Sequence, residues 1–145
     1  MATLCTIGFT KKNLPAFIEL LRGANVTKLV DIRLRNSSQL AGYAKKEDLA
    51  FVLGLCGIGY EHVTELAPSE ELLDEYRKTK DWERFEASFR ALLQQREPLG
   101  RIRESINGHD CICLLCSEEK PERCHRRLVA EYVVERIPGI EVAHL

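Results

Sequence analysis

A chain of 145 residues is the size of one domain and long enough to bury a core without cross-links. Its hydrophobic fraction of 45%, charged fraction of 30% and formal net charge of -1 are ordinary for a globular protein and give no overall basic field to draw in nucleic acid or a membrane surface. The first thirteen residues lack the apolar segment of a secretory signal and no apolar run approaches a membrane span, so the expected location is the cytoplasm, with all 6 cysteines reduced.

Taken in order, Thr3 to Phe9 reads as a strand. Asn13 then caps a helix that carries Pro15 in its first turn, buries Leu14, Phe17, Ile18 and Leu21, and ends at Gly23. Lys28 to Arg33 is a short buried strand, and the small polar stretch from Leu34 to Ala44 is a loop. A second helix starts near Lys45, with Leu49, Val52, Leu53 and Cys56 on one stripe, and stops at Gly57. Tyr60 to Val63 is a strand. Residues 69 to 80 form a helix, and Asp81 caps another whose face carries Trp82, Phe85, Phe89, Leu92 and Leu93. Leu99, Ile102 and Ile106 mark a short helix. Cys111 to Cys116 is apolar throughout, as a central strand covered on both faces should be. Pro121 opens a helix that runs to about Arg136, Pro138-Gly139 stops it, and Glu141 to Leu145 is the last strand.

This alternation predicts a single α/β domain over residues 1–145, with a mainly parallel sheet of about five strands and helices on both faces, a three-layer Rossmann-like or flavodoxin-like arrangement. Such sheets bind ligands beyond the carboxyl ends of their strands. The chemically distinctive residues fall there: Gly8-Phe9-Thr10 after the first strand, Asp31-Ile32-Arg33 and then Ser37 and Ser38 after the second, and Cys116-Ser117-Glu118 after the fourth. In the last helix, His125 lies three and four residues before Leu128 and Val129. It therefore shares their inward stripe, flanked by Cys124 and Arg126, with Arg127 turned to solvent.

Each group has more than one reading. Asp31 and Arg33 form either a structural ion pair or an anion-binding fork. Cys116 and Cys124 are core filler, a catalytic or redox thiol, or, with His125, metal ligands, although their spacing matches no zinc knuckle. Cys5, Cys56, Cys111 and Cys113 read as core. His62 and Glu65 are weaker candidates for the rim of the crevice.

Several segments together resemble the uncharacterised family known as domain of unknown function 488: Thr6-Ile7-Gly8-Phe9-Thr10, the run from Leu29 to Leu49, the run from Gly57 to Tyr76, and the run from Leu114 to Val133. Cys116, the Cys124-His125-Arg126 run and Asp31 with Arg33 are its most specific marks. The resemblance covers nearly the whole chain and implies a small α/β fold with no assigned reaction. The segment Asn36 to Gly42 departs from the proline and serine that many members carry after the arginine matched by Arg33.

The first functional expectation is an enzyme for an anionic, phosphate-bearing substrate such as a nucleotide or nucleic acid. Arg33, Arg126, Ser37, Ser38 and Thr10 would bind it, and Asp31, Cys116, Glu118, Cys124 and His125 would supply catalysis. A cysteine-dependent phosphatase is not implied, because six residues rather than five separate Cys116 from Arg123. The alternatives are a metal-binding or thiol redox protein built on Cys116, Cys124 and His125, and a non-catalytic ligand-binding module. A metal cofactor, the reaction and the oligomeric state stay open; a membrane partner is not expected, and net charge gives nucleic acid no support.

Overall fold

A computed structural model describes residues 2–35, 45–118 and 120–145. The chain runs β1 (Thr3–Gly8), α1 (Leu14–Gly23), β2 (Lys28–Asp31), α2 (Lys46–Leu55), β3 (Gly59–His62), α3 (Glu70–Thr79), α4 (Trp82–Arg96), α5 (Leu99–Ile106), β4 (Cys111–Cys116), α6 (His125–Arg136) and β5 (Glu141–His144). The strands make one sheet in the order β3-β2-β4-β1-β5, and every pairing is parallel. Among the described residues no helix is long and apolar enough to cross a membrane.

Local signals set these elements where the sequence places them. The Asn13 side chain accepts from the Ala16 N–H at 2.9 Å, and Asp81 does the same for Arg84 at 3.2 Å, so each first helical turn has a partner for a backbone donor. The apolar strand Cys111–Cys116 is buried at all six positions because it lies between β1 and β2, under helices on both faces. One core packs Phe17, Leu21, Leu49 and Leu53 of α1 and α2 on Cys5, Ile7, Leu29 and Cys113. The other packs Phe89, Leu93, Ile102, Leu128 and Val129 of α4, α5 and α6 on Leu4, Val30, Ile112 and Leu114. Each such Leu or Phe contributes about 1.5–3 kcal/mol by leaving water.

The main departure is the start of α6. The sequence places it at Pro121, but residues 121–124 form a turn, and the helix begins at His125. Cys124 has extended backbone angles (φ -136°, ψ 141°) and serves as the N-cap, so it cannot also lie within the helix. Proline suits such a turn as well as it suits a helical first turn. Strands one and two are also shorter than expected, stopping at Gly8 and Asp31.

Candidate functional site

The connections from β1 and β2 leave through α1 and α2 on one face, whereas the connection from β4 leaves through α6 on the other. Because β4 sits between β1 and β2, the chain diverges at the carboxyl ends of these three strands. A parallel sheet opens toward ligands at such points. Two clusters of polar and sulfur groups stand there, one on each face.

The first cluster lies on the α6 face. Side chains alternate along a strand, so Cys116 shares the face of Ile112 and Leu114. It thereby meets the N-cap of α6, where the sulfurs of Cys116 and Cys124 come together. The strand end and the helix cap converge here, and Cys5, Cys56, Cys111 and Cys113 stand apart from this pair as free cysteines. Both cysteines are buried. Arg126 is 0% exposed. Its Nη1 donates to Cys116 Sγ at 3.5 Å and to the Glu118 carbonyl. Gly8 makes room for both: a Cβ built there would stand 1.5 Å from the Glu118 carbonyl oxygen and 2.4 Å from Arg126 Nη1.

The second cluster lies on the α1–α2 face, the face of Leu29. Arg33 donates from Nε to Asp31 Oδ1 at 2.8 Å and from Nη2 to Oδ2 at 2.7 Å, a two-point pair in which both side chains are nearly fully buried. The Arg33 backbone N–H also donates to Asp31, and so does the Tyr60 hydroxyl, at 2.5 Å. The guanidinium sits 5.3 Å over the Phe9 ring, a cation–π contact. A buried carboxylate with this many donors is compensated, as a buried charge must be.

His125 links the clusters through the backbone. Its Nε2 lies 2.7 Å from the Ile32 carbonyl, so that nitrogen carries the proton and donates. Its ring packs edge-on to Phe89, 5.6 Å between centroids. Burial pushes its pKa down to about 4, so the ring is neutral near pH 7. The positive charge of Arg126 adds to that lowering, and it also lowers His144, whose first cause is again burial. His125 thus faces inward as its spacing predicts, while its Nε2 is occupied by a carbonyl. Among the described residues no three His, Cys, Asp or Glu side chains converge as a metal-binding group.

The remaining sequence candidates fall as follows. Glu118 is exposed and meets Arg126 through its backbone carbonyl. Thr10 is exposed, and both its N–H and its hydroxyl donate to the Ser117 carbonyl, tying β1's end to the loop after β4. Ser37 and Ser38 lie outside the described residues. Arg127 does not point to open solvent: it pairs with Glu86 of α4 and Glu131 of α6, each at 2.8 Å, because α4 runs alongside α6. His62 stands at the site, its Nε2 donating to the Arg33 carbonyl at 2.6 Å. Sequence reasoning missed Tyr60 and the steric role of Gly8. No local signal marks either, because both contacts depend on which strands lie side by side.

Fold and site together define a small α/β protein with a parallel five-stranded sheet, a pair of adjoining cysteines beside a buried arginine, and a buried carboxylate–guanidinium pair at the same strand ends. A family model described as "Domain of unknown function DUF488" matches residues 13–133, and the chain belongs to that family. No curated protein and no solved structure matches it.

Proposed function

We propose that this protein carries out thiol–disulfide exchange at Cys116 and Cys124. The observation that carries this reading is the junction of these two sulfurs at the carboxyl end of the central strand, with a buried guanidinium donating to one of them. A cation beside a thiol favours its thiolate, and the thiolate is the form that attacks disulfides. The charge of Arg126 also reaches Cys113, but burial outweighs it there. Burial pushes Cys5 up to about 12, and it pushes Cys113 up as well, so both stay protonated. In the exchange the reduced pair gives two electrons and two protons to a substrate disulfide. That disulfide becomes two thiols, and the Cys116–Cys124 bond forms.

The test uses reduced full-length protein and oxidised glutathione, with peptide mapping by mass spectrometry. The expected product is the Cys116–Cys124 link with release of reduced glutathione. Replacement of either cysteine by serine leaves a glutathione adduct that does not resolve. A protein that leaves oxidised glutathione untouched, or that links only through Cys56, overturns the reading.

A second reading, an enzyme for an anionic, phosphate-bearing substrate, is supported by two buried arginines at the ends of adjacent strands, Arg33 and Arg126. It ranks second because Asp31 already takes two donors of Arg33, and the arginines serve opposite faces of the sheet. Inorganic phosphate raises the melting temperature if this reading is right and leaves it unchanged if it is wrong.

A further inference from the structure

We infer that Cys116 is the attacking sulfur of this pair, that Cys124 resolves the mixed disulfide, and that Arg126 is the positioning residue that holds Cys116 as a thiolate. The inference rests on the thiol–disulfide reading and assigns the roles within it.

Two features compete for the thiolate. Cys124 caps α6, a helix of 12 residues whose N-terminus carries roughly half an elementary charge. Its side chain makes no capping hydrogen bond, so its sulfur takes none of the helix's free N–H groups. Cys116 instead receives a hydrogen bond from Arg126, which bears a whole charge, at 3.5 Å with both groups buried. Charges act over that distance with little screening when both partners are buried. The guanidinium cannot swing away readily. The Glu118 carbonyl accepts from the same Nη1, and the backbone of Gly8 packs against it with no space for a Cβ. Its charge also opposes protonation of His125 and His144, whose pKa values burial lowers first.

The chemistry then runs in one direction. The Cys116 thiolate attacks one sulfur of the substrate disulfide. The substrate S–S bond breaks, and the departing thiolate takes a proton from solvent. Cys124 loses its proton and attacks the Cys116 sulfur. The mixed disulfide breaks, the second substrate thiol leaves, and the Cys116–Cys124 bond remains. The substrate disulfide is reduced and the protein pair is oxidised.

The test separates roles from the redox reading itself. Reduced Cys124→Ser and Cys116→Ser proteins are mixed with oxidised glutathione, and adducts are mapped. We expect a rapid adduct on Cys116 in Cys124→Ser and a slow one on Cys124 in Cys116→Ser. In parallel, the alkylation rate of Cys116 is followed against pH in the Cys124→Ser background. Arg126→Gln should raise the midpoint by about one unit or more, slowing the reaction about tenfold near neutral pH, and Arg126→Lys should recover part of it. A merely structural arginine would not move that midpoint. Should Arg126→Gln fail to fold, the two adduct rates still decide. Faster adduct formation on Cys124, or an unmoved midpoint in folded Arg126→Gln, overturns the assignment while leaving exchange intact. No adduct in any protein, wild type included, overturns the exchange reading instead.

Discussion

Gly8→Ala is the sharpest perturbation of the site available without touching a sulfur or a charge. The new Cβ would lie 1.5 Å from the Glu118 carbonyl oxygen and 2.5 Å from its carbonyl carbon. These are backbone atoms, so no rotamer change relieves the overlap; the loop from β4 to α6 has to move by roughly 2 Å, or β1 has to withdraw from β4. Overpacking in a close-fitted interior costs about 1–3 kcal/mol, and a backbone obstacle places this case at about 3 kcal/mol. For a domain of this size each kcal/mol lowers the melting temperature by about 2–4 °C, so the expected loss is about 6–12 °C. Gly54→Ala is the matched control: that glycine lies in α2 with nothing within 4 Å of a built Cβ, and alanine there should stabilise by about 0.5–1 kcal/mol. Scanning calorimetry of both variants and the wild type, all fully reduced, makes the comparison. A melting temperature for Gly8→Ala within about 2 °C of wild type would refute the close approach of Gly8, Glu118 and Arg126.

Two further outcomes follow from the other groups at the strand ends. Asp31→Asn leaves Arg33 buried without its counter-charge and should cost about 3–5 kcal/mol, whereas Tyr60→Phe removes one donor to a charged acceptor and should cost about 1.5–3 kcal/mol, both read by urea unfolding; equal, near-zero losses would remove Asp31 from the interior. His125 has a folded pKa of about 4 against about 6.5 unfolded, so the unfolded chain takes the proton first. Its contribution is therefore complete above about pH 6.5 and declines as the pH falls toward 4, by on the order of 3 kcal/mol. His125→Gln should flatten that slope, and a slope identical to wild type would show that the ring is not buried neutral.

Much of the fold was readable because each element carries its own period and its own stops. Asn13, Pro15 and Gly23 bracket α1, and the unbroken apolar run Cys111–Cys116 identifies the strand that the sheet buries on both sides. The site was readable only in part. Period-two alternation says that Asp31 and Arg33 share a face and that Cys116 shares one with Leu114, but no single strand says whether those faces coincide. They do not: the first pair sits under α1 and α2, the sulfur under α6. Helical geometry likewise turns Arg127 away from the sheet, yet it cannot show that α4 lies alongside and offers Glu86. Tyr60 reaches Asp31 across 29 positions, and Gly8 matters through a carbonyl far along the chain. Both depend on strand order, which local patterns do not encode.

That strand order also governs how the chain assembles as it is synthesised. β1 is made first, yet its neighbours are β4 and β5, and its register with β4 joins Thr3 to Cys111. Until the ribosome has released residues beyond 116, only β2 and β3 can pair with each other, and β1 waits with unsatisfied edges. Closing loops of such length precedes any gain from the contacts they bring, which slows folding and leaves strand edges open to aggregation. The strand that ends in Cys116 is therefore the last piece needed to join the two halves of the sheet, so truncation before Cys111 should leave β1 with no strand partner and cut off from the β2–β3 pair.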